Sequence, residues 1–215
     1  MTKEEIAAVL ADHKLWREGK GGKRADLARA NLAGADLAGA YLADANLARA
    51  NLAGADLAGA YLAGAYLAGA NLAGANLARA NLAGAYLAGA NLARANLRGA
   101  YLAGAYLADA NLDGANLAGA NLDGAYLDGA YLADAKINGK TAIGIMRRAT
   151  RADGYEFFLW HCKEGFYIKA GCHFFTPQEA REHWTVHRAG TPLGDESLDI
   201  LDMFDKAIQR QGSAQ

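Results

Sequence analysis

Leucine recurs at every fifth position from Leu27 to Leu132, and Ile137 takes the next place in the same register. Alanine stands two residues before each of them, and the position between is Asn, Asp or Tyr, save for Lys136. The two positions that follow are usually Ala and Gly, so residues 25–139 form 23 consecutive pentapeptides. A fixed internal period governs the reading of the whole segment. An α-helix turns by about 500° in five residues, which scatters the leucines around its axis. Glycine in most repeats adds roughly 1 kcal/mol each against helix. A straight strand alternates faces, so an odd period sends successive leucines to opposite sides. A corner in every repeat keeps them together, with glycine supplying the permissive backbone. The chain then coils with one pentapeptide per side, and Leu and the preceding Ala point inward.

The variable position before leucine predicts the number of sides. With four sides, residues 20 apart stack in columns. One column is Asn31, Asn51, Asn71, Asn91, Asn111 and Tyr131, and the next is Asp36, Asp56, Asn76, Asn96, Asn116 and Lys136. The third is Tyr41, Tyr61, Asn81, Tyr101 and Asn121; the fourth is Asp26, Asn46, Tyr66, Tyr86, Tyr106 and Tyr126. Seven of the eight repeat tyrosines then fall in two adjacent columns, whereas three sides would spread them over all three. Coils about 4.8 Å apart would give nearly six turns and a rod of roughly 27 Å. The asparagine column is a candidate amide ladder.

The motif, as in ANLAG at 70–74 and ADLAG at 55–59, resembles the pentapeptide repeat family. The resemblance covers residues 25–139 and implies a mainly β fold, a right-handed quadrilateral β-helix. It also implies that the central residue and the Ala two before it fill the interior while the other three face outward. Two positions depart from the family pattern: Ala usually follows Leu where the family favours Ser, Thr or Arg, and eight repeats carry Tyr. Both face outward, so the fold is expected to survive. So regular an alanine-padded array is also what a consensus or engineered repeat would show.

Both ends of such a stack need covers. Residues 1–24 predict a capping helix over 2–18 and a linker, GKGGKR. Thr2 and Glu5 match a capping box; Ile6, Val9, Leu10 and Trp16 give an apolar face, and Gly19 ends the helix. Exposed strand edges invite aggregation, which favours reading this helix as a lid on the first coil. Residues 140–215 predict a small α+β domain. GYEFFLWH and GFYIKAG read as a hairpin turning at Lys163, Glu164 and Gly165. TPQEAREHW opens a helix with Thr176 as N-cap and Pro177 first inside. After a GTPLGDES loop, Leu198, Leu201, Phe204 and Ile208 mark a last helix.

Charge excludes little and favours less. The 215 residues carry a net −1, divided as +2 over 1–24, −2 over 25–140 and −1 over 141–215. No segment has the basic excess that attracts phosphate backbones, so no direct nucleic-acid binding is expected. Polar residues interrupt every apolar run, which predicts no membrane span. The start, MTKEEIAAVL, predicts no signal peptide. Two cysteines do not suggest a disulfide framework. A cytoplasmic location follows as the expectation.

Cys162, Cys172, His183 and His187 invite a zinc module, with the histidines four apart on a helix. Zinc fingers place two to four residues between cysteines, far fewer than here. The plainer reading makes the cysteines small core residues and packs the histidines around Trp184. His161 and His173 adjoin the two cysteines, but neighbours on a strand point to opposite faces, so neither pair is poised as a nucleophile. No phosphate-binding or dinucleotide fingerprint occurs. No catalytic residue, metal or cofactor is expected.

The tyrosine columns carry the reading of function. Tyr66, Tyr86, Tyr106 and Tyr126 would stack on one face, with Tyr61 and Tyr101 around the corner. Tyrosine is enriched in interfaces, although such ladders also stabilise the coil itself. Asp109, Asp113, Asp123, Asp128 and Asp134 make the last repeats acidic, and the resemblance implies an alternative, since some family members mimic DNA and inhibit gyrase. Arg29, Arg49, Arg79, Arg94 and Arg98 dilute that field. The expected function is a non-enzymatic rigid scaffold that binds a protein partner, with a homodimer also admitted. A small enzyme in 140–215 has no constellation to support it.

Overall fold

Each pentapeptide closes its own corner before it meets any neighbour. In the first, the Ala30 amide donates to the Leu27 carbonyl at 3.1 Å across a turn whose third residue, Arg29, has φ 61°. Type II turns require that positive φ, and glycine meets it most readily. Residues before leucine fix the corner from its other side: the Asp26 carboxylate accepts the Ala28 amide at 3.2 Å, and Asn91 accepts Ala93 at 3.1 Å. Asn and Asp have this reach to the backbone two residues on.

The computed structural model describes residues 1–170, 173–188 and 190–212, with the side chains of 187, 188 and 212 outside that description. It divides into two units, Met1–Ile137 and Asn138–Gln215. In the first, parallel bridges join residues 20 apart, from Asp26↔Asn46 to Asn116↔Lys136. The repeats therefore form a β-helix with four sides per coil. Tyr61 donates to Ala40 below at 2.9 Å, and Leu62 to Asn81 above at 2.7 Å, so each coil is paired on both edges. Leu42 to Leu112 are fully buried, as are the alanines from Ala45 to Ala95. Each buried leucine contributes about 1.5–3 kcal/mol. Ala30, Ala35 and Ala40 of the first coil are only half-buried.

Helix α1, Lys3–Arg17, starts at the Thr2 cap with both capping-box bonds formed. Its buried residues are Ile6 and His13. Trp16, expected on the apolar face, is instead 38% exposed and stacks on His13 at 5.3 Å. Helical geometry gives the reason: His13 lies within about 20° of Ile6 around the axis, and Trp16 about 80° away. His13 joins α1 to the coils through both ring nitrogens. Nδ1 accepts the Ala25 amide at 3.0 Å, which leaves Nε2 to donate to the Ala43 carbonyl at 3.1 Å. Arg17 pairs with Asp44 at 3.0 Å, and the N-terminal ammonium donates to the Asn31 carbonyl at 3.2 Å.

Strand β1, Lys136–Ile137, ends the first unit. The second unit holds β2 (Lys140–Thr150), β3 (Glu156–Cys162), β4 (Gly165–Ala170) and β5 (His173–Phe175), paired antiparallel in chain order. The expected hairpin is the β3–β4 pair. Strands β2 and β5 were not anticipated. Register irregularities at Ala142/Gly144 and Ile145/Arg147 break the alternation that would have marked β2. Helices α2 (Pro177–Arg188) and α3 (Pro192–Gly212) complete the unit. Helix α3 begins inside the stretch expected to be a loop. Thr191 caps it, accepting the Gly194 amide at 3.1 Å, and proline suits the first helical position. Phe157 and Leu159 of β3, Ile168 of β4, Trp184 of α2 and Leu201 and Phe204 of α3 form the core. Buried Arg151 is held by Asp153 at 2.7 Å and by the Ser197 hydroxyl at 3.0 Å.

Candidate functional site

The twenty-residue step turns the sequence columns into physical ladders. Tyr66, Tyr86, Tyr106 and Tyr126 stack with ring centroids 4.9, 5.0 and 4.9 Å apart and nearly parallel planes. Each remains 41–43% exposed. Their ring faces are spent on one another, so the surface they offer is a column of ring edges and hydroxyls. Offset aromatic pairs add about 0.5–1.5 kcal/mol each. The Arg24 guanidinium lies 5.5 Å from the Tyr66 ring centre and closes the lower end of the ladder.

Tyr61 and Tyr101 share the neighbouring column, yet the structure does not bring them together. Asn81 stands between them, bridged to both. Tyr61 stacks on Tyr41 at 4.6 Å, which extends the aromatic surface downward and was legible in the same column. Tyr101 is 58% exposed, with asparagines above and below it. The six tyrosines thus divide into one continuous ladder of four, one member of a lower pair and one isolated ring. The asparagine side carries an amide ladder: Asn51, Asn71 and Asn91 each donate from Nδ2 to the Oδ1 of the residue 20 before, at 3.3 Å.

Among the described residues of the second unit, the candidate cysteine and histidines form no metal-binding group. Cys162 is buried, and burial first, then the Glu164 charge, pushes its thiol up to about 11. A protonated buried thiol is a poor nucleophile near neutral pH. His161 stacks on Phe166 at 4.8 Å, and His183 packs among Trp184, Phe175 and His173 at 4.7, 5.1 and 5.2 Å. Cys172 and the His187 side chain lie outside the described residues. Among the described residues no group of three His, Cys, Asp or Glu is placed to hold a metal ion, and no helix is long and apolar enough to cross a membrane.

Four-sided coils of pentapeptides, with leucine inside and a positive φ at the corner, define a β-helical repeat solenoid. The family model for pentapeptide repeats matches residues 25–62, 60–99 and 100–139, more than half the chain, and the chain belongs to that family. Among solved structures it is similar to a pentapeptide repeat protein of the Arabidopsis thaliana thylakoid lumen, with 33% identity over 40% of this chain and 60% of that one, TM-score 0.39. It is also similar to Rfr23 of the cyanobacterium Cyanothece 51142, with 30% identity over 62% of this chain and 97% of that one, TM-score 0.38. QnrB1, a plasmid-mediated fluoroquinolone resistance protein, matches at 21% identity over 56% of this chain and 70% of that one, TM-score 0.35. No curated protein sequence matches.

Proposed function

We propose that the chain is a non-enzymatic interaction rod that presents its tyrosine surface to a protein partner. The observation that carries this reading is the ladder from Tyr66 to Tyr126: four rings fixed in register and exposed along one side of a rigid coil. Fixed aromatic side chains bury large area on contact and lose little rotamer freedom, because stacking has already ordered them. In this reading α1 covers the first coil, and residues 138–215 form a unit of their own. The gyrase-directed alternative asks for a continuous acidic surface. Residues 25–139 carry nine Asp against six basic residues, and Arg79, Arg94 and Arg98 stand in the middle coils.

The test replaces Tyr66, Tyr86, Tyr106 and Tyr126 with Ser and compares the proteins captured by each chain from an extract of the native cells. A partner bound by the parent and lost by the variant, with the circular dichroism spectrum unchanged, is the expected result. An identical set of captured proteins, with only a lower melting temperature, would make the ladder a stabilising device and end the proposal.

A further inference from the structure

The corner that follows the second column, around Gly59, Arg79, Gly99 and Gly119, opens into a groove of about 680 Å³. Ala58, Ala78 and Ala118 floor it, and Arg79, Arg98 and Asn96 rim it. The glycines keep that floor flat: a Cβ added at Gly59 or Gly119 would meet nothing within 4 Å.

Two observations bear on the two arginines that share this groove. They belong to neighbouring coils and are joined through the backbone, the Arg79 amide donating to the Arg98 carbonyl at 2.9 Å. Two like charges rooted on adjacent coils repel one another. Neither side chain forms an ion pair among the described residues, whereas Arg17, Arg148, Arg151 and Arg181 all do. Asp36 and Asp56, lower in the same column, turn their carboxylates to the amides of Ala38 and Ala58. Arg79 also has φ 58°, in the left-handed region where most corners carry glycine, a conformation it shares with Arg29, Arg49 and Arg94. A side chain held there is disfavoured by sterics.

We propose that this groove binds an acidic segment of a partner protein, with Arg79 and Arg98 each receiving a carboxylate; this deepens, and rests on, the reading of the chain as an interaction rod. Alternate residues of an extended peptide lie about 6.7 Å apart on one face. Two flexible guanidiniums rooted on adjacent coils, which lie about 4.8 Å apart, can receive a Glu-x-Glu pair, and glycine and alanine beneath let the peptide backbone approach. A nucleic acid fits less well, because phosphate backbones need a longer basic track and residues 25–140 sum to −2.

The experiment titrates the full chain with a labelled peptide carrying Glu-x-Glu, its Gln-x-Gln counterpart and a single-stranded oligonucleotide of equal charge, read by fluorescence anisotropy. The double variant Arg79→Gly, Arg98→Ala restores the commoner corner residues and so keeps the fold. The Glu peptide is expected to bind the parent and to weaken at least ten-fold in that variant, with no binding of the Gln peptide. Arg29→Gly with Arg49→Gly removes equal charge at the diagonally opposite corner and should leave the affinity unchanged. Equal binding of the two peptides, an unaffected double variant, an equal loss in the control variant or tighter binding of the oligonucleotide would each overturn the proposal. The four-fold Tyr→Ser chain is expected to keep Glu-peptide binding. Absence of that binding, with ladder-dependent capture intact, sinks the groove alone; the reverse sinks the ladder alone.

Discussion

The repeat array and the C-terminal unit both bury apolar cores, but they specify them over different distances along the chain. In the array a corner is complete within five residues, from the Asn or Asp acceptor to the positive-φ residue, and the pairing partner always lies 20 residues on. In the second unit, β2 finds its partners through a register that runs from Ala142↔Cys162 to Thr150↔Glu156 and shifts twice on the way. Local closure repeated many times writes itself into the sequence. A pairing made once, between strands of different character, does not.

The sharpest way to break this contrast is to remove core side chains from each region. Phe157→Ala empties the single core beneath α2 and α3 and is expected to cost about 3–5 kcal/mol. Leu82→Ala, in the middle of the array, should cost about 2–5 kcal/mol. Chemical denaturation measures both. Hydrogen exchange then separates them: protection should fall across residues 138–212 in the first variant, and mainly in the coils next to Leu82 in the second, as nearest-neighbour coupling requires. Uniform loss along the array would contradict that coupling.

A smaller effect is expected at the corners. Gly84 has φ 61° and open space where a Cβ would sit, so Gly84→Ala suffers from backbone conformation alone. The cost should be about 1–2 kcal/mol, and Arg79→Gly should shift stability in the opposite direction. Melting curves of the two variants moving the same way would refute the corner account.

Acid should loosen α1 before it touches the coils. Burial, opposed by the Ala43 carbonyl, lowers the His13 pKa below its ordinary 6.5, with Arg17 and Arg24 lowering it further and Asp44 raising it. The folded state therefore favours neutral imidazole, whose Nδ1 accepts the Ala25 amide. Its contribution is fully present above pH 6.5 and is lost as pH falls through the depressed folded value. Exchange protection of the Ala25 amide, corrected for intrinsic rate, should drop over that interval. Constant protection down to pH 4 would rule the linkage out. Smallest of all, Asn71→Ala should lose two ladder bonds, to Asn51 and from Asn91, and its turn bond to Ala73, in all roughly 1 kcal/mol for groups that water can partly re-satisfy, by thermal melting.

The same contrast explains what could be read in advance. Four sides, an interior of Leu and Ala and the stack from Tyr66 to Tyr126 all follow from counting residues, because each column repeats one choice many times. His13 escaped notice since a histidine on a mostly polar helix has no period to reveal it; only the Ala25 amide and the Ala43 carbonyl, 12 and 30 residues away, give it meaning. Tyr61 and Tyr101 share a column, and Asn81, which the sequence already places between them, parts them. The groove at Arg79 and Arg98 depends on residues at two different places in the pentapeptide that meet only when one coil settles on the next.

The twenty-residue pairing step also limits how this gene can change length. Losing or gaining a full storey of four pentapeptides leaves every wall facing as before. Losing a single pentapeptide turns all later walls by a quarter revolution, so that aromatic edges below the cut would meet asparagine above it. Viable length variants should therefore arrive in multiples of twenty residues, although the repeat unit itself is only five.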